Sequence, residues 1–492
     1  LVQLLVQAAA SWPLGLAVLT STRTWGLFAR SLVLAGVVTS GAIAVGVPIG
    51  VLLARTDVPL RRSFWLIHAF PMVLPPFLPA LGWFHLLGSQ GFIGGKASAR
   101  FLFDEPGLVF VLVATFVPIV TSLTAVGVMG VDVSLEEAAR SVAGPWRVAT
   151  RILVPAAAPA IALAAVIVFA LAFSELGVPM FLRVDVFPAA VFARLGGADF
   201  APGEALALAL PLIPLALVLL LIERRLAGRK SFAVLGLRDG SRSRLALGPW
   251  RLAAVLVGGC SALLSAAPIG ALLLHAQSGG GLAETLAWAS AAPWNGLVAS
   301  TLAASTISLI GLVLGHAVAR GLRGAAVLDA VAMLAFVMPA AVLGVGLIGV
   351  WNRAWFQPVY GTLAILVVGY VARYTAVGVR VVACAVAQSP VHLEEAAAAS
   401  GAGFSRRLFG IVLPVHARGI GFAWLMAVLF CLRDLETAVL FYPPGGEPLT
   451  VRIFTLEANG PAAIVAGLCA LHMAIVVAIV VLGAVAFHKR GT

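Results

Sequence analysis

The chain has 492 residues, of which 61% are hydrophobic and 11% charged, and its mean hydropathy is +1.07. Soluble proteins carry about 25% charged residues, so this chain has too little charge to coat a soluble globule of its size. A cytosolic enzyme, a secreted disulfide scaffold and a disordered chain are excluded, which leaves a polytopic membrane protein. The net charge of +12, from 32 Lys+Arg against 20 Asp+Glu, is read as basic loops that orient membrane spans rather than as a nucleic-acid surface. Cys260, Cys384, Cys431 and Cys469 sit in apolar stretches without metal-like spacing, so they are packing residues.

A crossing helix needs about 20 apolar residues. Eleven stretches qualify, near 28–53, 64–88, 108–129, 158–182, 205–222, 252–274, 296–318, 326–350, 360–382, 417–441 and 463–487. Residues 1–19 make a weak twelfth, broken by Gln3, Gln7, Trp12 and Pro13. Their length and the lack of alternation exclude a β-barrel. The expected fold is all-α, with 11–12 transmembrane helices.

Orientation follows from the segment 223–251, where Arg224, Arg225, Arg229, Lys230, Arg238, Arg242, Arg244 and Arg251 face only Glu223 and Asp239. Such a segment stays in the cytoplasm. Alternating outward from it places Arg55, Arg61 and Arg62, the loop 131–155, Arg320 and Arg323, the loop 383–416 and the tail Lys489-Arg490 on the same side. Of the 32 basic residues, 21 then lie inside, 8 outside and 3 (Arg373, Arg380, Arg433) in or beside spans. The same segment divides the chain into a first half, 1–222, a basic linker, 223–251, and a second half, 252–492. Gly228-Arg-Lys-Ser231 lacks the upstream glycine and the strand of a phosphate loop, so no ATP site is expected in the chain itself.

The strongest signal occurs twice. Leu135-Glu-Glu-Ala-Ala139 recurs as Leu393-Glu-Glu-Ala-Ala397, and Gly144, Arg147, Ile152 and Pro155 match Gly403, Arg406, Ile411 and Pro414. The first block is shifted by 258 residues and the second by 259, so one residue is lost between them in the first copy. Each copy lies between the same two spans of its half, which makes the halves parallel repeats. Each loop reads as a short helix, a glycine hinge and a second short helix leading into the next span. Acids in a first helical turn are favoured by the helix dipole, and small alanines permit close approach. Arg147 and Arg151 share a face at i,i+4 spacing, and Pro155 and Pro414 suit the first turn of the following span. The product is a pair of polar knobs shaped to enter a groove on another molecule.

With these loops the chain resembles the inner-membrane permeases of binding-protein-dependent ABC importers, whose signature is E-A-A…G…I-x-L-P. Glu395-Ala-Ala…Gly401…Ile411-Val-Leu-Pro414 fits that spacing; in the first copy Ala143 stands at the glycine position, with Gly144 one residue later, and Val154 replaces leucine. The resemblance covers nearly the whole chain and is strongest to fused ferric-iron-type permeases, on Leu52-Leu-Ala-Arg-Thr-Asp57 with Arg61-Arg62, Phe70-Pro-Met-Val-Leu-Pro-Pro-Phe-Leu-Pro79, the basic linker, and Leu432-Arg-Asp-Leu-Glu436 running to Tyr442-Pro-Pro-Gly-Gly446. Thiamine, polyamine and phosphonate permeases share parts of the pattern. The resemblance implies a transport subunit of the bacterial inner membrane, without covalent chemistry or a cofactor. Its partners would be two cytoplasmic ATP-binding subunits and an extracytoplasmic substrate-binding protein. It assigns ATPase coupling to Glu136, Glu137, Ala138, Ala139, Gly144, Arg147 and Pro155, and to Glu394, Glu395, Ala396, Ala397, Gly401, Arg406 and Pro414. An ion-coupled secondary transporter is the alternative class. By comparison with the second half, most of the helix before Trp25 is expected to be missing from the sequence.

Ionisable residues inside spans cost about 2.5–3.5 kcal/mol each on insertion scales. Glu175 and Asp434 both lie 20 residues past their loop prolines, Pro155 and Pro414, and are repeat-equivalent. With Glu436 they are candidates for the translocation path, set against the simpler reading that they mark helix ends. Arg433 and Glu436, at i,i+3, are expected to neutralise each other. Ser174-Glu-Leu-Gly-Val-Pro179 predicts a helix break, and Pro71, Pro75, Pro76, Pro79 and Pro339 predict kinks. The eight histidines show no ligand spacing, and no metal site is expected.

Overall fold

The computed structural model describes residues 19–131, 133–196, 202–227, 244–278 and 281–489. Residues 1–18, with the expected missing helix, and most of the basic linker, with Gly228–Ser231, lie outside the described residues. Regular structure among the described residues is helical throughout. Among the described residues, seven helices are long and apolar enough to cross a membrane: Thr22–Arg55, Glu105–Met129, Glu204–Arg225, Gly248–Ala276, Ala292–Ala319, Leu363–Ala387 and Ala462–Ala486. The other four expected spans are bent pairs. Arg61–Val73 with Phe77–Leu87 and Ala325–Val337 with Ala340–Trp351 each bend by 110°, while Pro145–Ala156 with Ala158–Ser174 bends by 66° and Phe404–Val415 with Ala417–Arg433 by 81°.

The matched bends have local causes. Leu74-Pro75-Pro76 interrupts the first pair and Met338-Pro339 the second, where proline removes a helical N–H and blocks the preceding residue from helical geometry. The broken segments still act as crossings. Arg30 pairs with Glu105 at one end of two helices, and Arg55 donates to the Val128 and Val131 carbonyls at the other. Helices Thr22–Arg55 and Glu105–Met129 therefore run parallel, and the chain between them must return across the bundle. Glycines bring these helices together: a Cβ on Gly50 would come within 2.8 Å of the Thr121 carbonyl oxygen, and one on Gly315 within 2.7 Å of that of Val379 in the second half.

Packing produces two compact units, one of residues 20–190 with 221–279 and the other built from residues 191–220 with 280–492. These differ from the sequence halves by one helix in each direction. The first helix after the linker, Arg251–Ala276, belongs with the first half's helices because its small and hydroxyl face fits them. Ser261 and Ser265 lie 3.2 and 3.4 Å from His68 Nδ1, whose Nε2 meets Thr121 Oγ1 at 2.9 Å. Conversely, Pro202–Ala209 packs within the second unit, against Ala340–Trp351.

Candidate functional site

The two motif loops have the same construction. In the first, helix Val133–Val142 is followed by Gly144 and helix Pro145–Val148. In the second, helix His392–Ala399 is followed by Gly401, Gly403 and helix Phe404–Arg407. Gly144 and Gly403 both precede their helices in extended conformation, with φ of -70° and -66°. The helices differ at their ends. Gly401 is left-handed, at φ +81°, and the Ala402 N–H returns to the Ala397 carbonyl at 2.9 Å, a glycine-closed helix end. The first copy, one residue shorter, has no left-handed turn there, so Ala143 in place of glycine carries no strain.

After each hinge the helix widens into a π turn, Ala149–Leu153 or Leu408–Val412, that ends two residues before Pro155 or Pro414, with Val154 or Leu413 between. Proline lacks the N–H for a normal helical bond and its ring crowds the carbonyl four residues back; the wider turn relieves both. The prolines consequently lie in the last turn before the bend, just ahead of the helices Ala158–Ser174 and Ala417–Arg433, rather than in the first turn of those helices as the sequence suggested. The π turn also removes the simple i,i+4 register between Arg147 and Arg151, although both are exposed.

The motif acids divide into two kinds. Glu136 and Glu394 are buried, whereas Glu137 and Glu395 are exposed. Glu136 pairs with Arg55 at 2.9 Å and Arg140 at 2.5 Å. Glu394 is held by His316 and Arg320, each at 2.6 Å. Burial works against the charge of Glu394, but the hydrogen bonds from His316 and Arg320 outweigh it and hold its carboxyl below the usual range. Arg55 also caps the Val128 and Val131 carbonyls, and Arg320 caps Ser389 O at 3.1 Å. In both repeats, therefore, an arginine ending the first core helix satisfies carbonyls at the end of a parallel helix and clamps the first motif acid.

Sequence reasoning missed these arginines, although the signal was present. Gly46, Gly50 and Arg55 recur as Gly311, Gly315 and Arg320, each 265 residues later. Around the clamps, Ala138 and Ala396 are exposed, Ala397 is half-buried and Ala139 is buried. Arg147 and Arg406 face solvent together with Leu135, Val142, Trp146, Leu393, Phe404 and Phe409. Each knob thus offers an acid, small residues, an arginine and bare apolar groups on a fixed base.

The intramembrane acids occupy a different setting. Helix Ala158–Ser174 stops at Glu175, whose Oε1 accepts the Val178 N–H at 3.2 Å; helix Ala417–Arg433 stops at Asp434, whose Oδ1 accepts the Thr437 N–H at 3.0 Å. Both acids are buried, and each accepts a backbone N–H from the turn that enters the short helix beyond the expected break. Glu436 is paired with Arg373 of the preceding span, which also lies 3.7 Å from Asp434. Arg433, the partner expected from sequence, also acts on Glu436 through its charge and lies over the Phe430 ring. Asp434 and Glu436 thus share one arginine, and Glu175 belongs to the other compact unit.

Residues 46–232 match the family described as the binding-protein-dependent transport system inner membrane component. The similarity continues through both halves. A putative ferric transport system permease protein of Haemophilus influenzae is 25% identical over 435 residues, 81% of this chain and 67% of that protein. A ferric transport system permease protein of Actinobacillus pleuropneumoniae is 23% identical over 424 residues, 79% of this chain and 60% of that protein. Residues 46–232 thus carry the domain of this permease family, and the chain resembles ferric transport permeases through both halves. A molybdenum transport system permease protein of Escherichia coli K12 is 32% identical over 149 residues, 28% of this chain and 65% of that protein. The chain thus spans between 60% and 67% of the length of these relatives. Its all-helical fold and its apolar spans are those of an inner-membrane transport component.

Proposed function

We propose that the permease is the membrane subunit of an ATP-driven importer that passes ferric iron from an extracytoplasmic binding protein to the cytoplasm. The observation that carries the mechanism is the pair of clamped knobs. In this reading each knob seats in a cytoplasmic ATPase subunit through its exposed acid and neighbouring apolar groups, so one chain engages two such subunits. The buried arginine–glutamate pairs make each knob continuous with its core helices, and closure of the ATPase pair tilts those helices to open the path inward. The linker separates two permease halves, 1–222 and 252–492, each bringing one coupling loop.

Ferric iron is favoured because the relatives aligned through both halves are named for ferric transport. The molybdenum permease and a putative 2-aminoethylphosphonate transport system permease protein of Salmonella choleraesuis align with 28% and 36% of the chain. For Glu175, Asp434 and Glu436, burial, the backbone N–H bonds to the first two and the arginine shared by the last two support a role in holding the helix breaks rather than in touching cargo. Proteoliposomes containing the permease, its ATPase and its binding protein test the assignment. Uptake of radiolabelled ferric iron, abolished by vanadate and outcompeted by neither molybdate nor 2-aminoethylphosphonate, is the expected result. Uptake driven by an ion gradient without ATP would instead identify a secondary transporter.

A further inference from the structure

The end of the linker returns to the first coupling loop. Leu245 forms an isolated parallel bridge with Thr56. Its N–H donates to the Arg55 carbonyl at 2.8 Å, and its own carbonyl accepts from the Asp57 N–H at 3.3 Å. The Asp57 carboxylate then accepts the Leu247 N–H at 2.9 Å and pairs with Arg251. The Arg251 hydrogen bond, followed by that from Leu247, holds the Asp57 carboxyl below its usual range. Three consecutive residues, Arg55, Thr56 and Asp57, thus serve two purposes: the first clamps Glu136, and all three grip the incoming linker.

Leu245 is only 4% exposed. Its side chain joins a cluster with Val131, Ala139, Val148 and Leu153, residues from the start, middle and end of the first coupling loop. The corresponding cluster beneath the second loop is built from Leu312, Val382, Val386, Leu408, Val412 and Ala423, with no linker residue among the described residues. The first loop lacks the left-handed glycine that closes its counterpart, and it is the loop into which Leu245 is inserted.

We propose that Leu245 is a positioning residue for coupling. The linker end, residues 244–251, acts as a strap that seats Leu245 beneath the first knob and fixes the knob's pose. A fused chain thereby supplies to its irregular loop the rigidity that Gly401 and its helix closure give the other. The strap rests on the assignment of the loops to ATPase coupling, but its structural half can be tested without a partner.

The test is hydrogen–deuterium exchange on the full chain in lipid nanodiscs, comparing wild type, Leu245→Ala, Leu245→Met and Asp57→Asn. Leu245→Ala is expected to speed exchange of peptides covering 139–153 by about tenfold, the size of a local opening made easier by one lost core contact. Peptides covering 397–412 should be unchanged, Leu245→Met should stay near wild type, and Asp57→Asn should fall between. No change in the first loop, or equal change in both, overturns the strap. If Leu245→Ala reaches the membrane poorly, Asp57→Asn carries the same comparison. In the reconstituted transporter, Leu245→Ala should lower uptake per ATP hydrolysed several-fold more than it lowers hydrolysis, with Leu245→Met restoring the ratio. Faster first-loop exchange with an unchanged ratio would keep the strap as architecture and overturn the coupling assignment of that loop.

Discussion

Removing Arg55 should loosen the first coupling loop far more than removing any exposed charge on it. The Arg55 and Glu136 side chains are 3% and 2% exposed, and breaking a buried pair from one side costs about 3–5 kcal/mol because a charge is left without its partner. Arg140, 21% exposed, still reaches Glu136 and moves the expected value to the low end, about 3 kcal/mol. Arg55→Met also uncaps the Val128 and Val131 carbonyls, adding about 1 kcal/mol. Loop opening should therefore rise by more than a hundredfold, at about 1.4 kcal/mol per tenfold. The double variant Arg55→Met/Glu136→Met removes both charges and should be less destabilised than Arg55→Met alone, since an apolar replacement of a buried pair is often neutral. The assay is exchange of peptides covering 136–150 in nanodiscs, arranged as a double-mutant cycle with Glu137→Gln as the exposed control. Simple additivity in the cycle, or an effect of Arg55→Met no larger than that of Glu137→Gln, would refute the clamp.

Charge reversal at the exposed acids should spare folding and damage coupling: Glu395→Lys and Glu137→Lys should keep normal melting but lose uptake per ATP, with Glu395 the more severe, whereas Glu394→Lys should lower expression and thermal stability. Surface pairs such as His392–Glu395, at 84% and 63% side-chain exposure, contribute at most about 1 kcal/mol, so a large melting shift in Glu395→Lys would count against the division. Gly401→Ala should destabilise the second loop by about 1–2 kcal/mol, the cost of placing a side chain in the left-handed region, while Ala143→Gly should cost less than about 1 kcal/mol; exchange of the two loops measures both. The carboxyls of Asp57 and Glu394 are depressed from ordinary values of 3.8 and 4.5. Their stabilisation is therefore present in full above those values and disappears as pH falls through the depressed ones. Loop exchange, corrected for intrinsic chemistry, should stay flat from pH 7 to about 5 and rise below about 4; a rise beginning near pH 6 would assign control to other groups.

Much of this arrangement is legible in the order of the amino acids. Eleven hydrophobic stretches correspond to seven long helices and four bent pairs, because bilayer length and proline chemistry are local properties. The repeated Leu-Glu-Glu-Ala-Ala motif locates both knobs, and Ser174–Pro179 contains the break at Glu175. What sequence spacing does not carry is the partner of a charge. The two glutamates of each motif are adjacent and chemically alike, yet burial separates them, and that depends on an arginine more than 70 residues away. Glu436 likewise pairs directly with Arg373 across a helix interface, with the charge of its neighbour Arg433 acting on it as well. The packing units are similarly non-local: helix Arg251–Ala276 follows the linker in sequence but belongs with the first half through His68, Ser261 and Ser265.

The most direct measurement is site-specific cross-linking of the intact transporter from Ala138→Cys and from Ala396→Cys, both exposed positions, with Cys260 and Cys384 replaced by serine. Native mass measurement of the purified complex supplies the subunit count. The account predicts that each cysteine joins a nucleotide-hydrolysing subunit, that two such subunits accompany one chain, and that cross-linking changes with nucleotide. A complex without such subunits, or thiols at these positions that react only from the extracytoplasmic side, would contradict it.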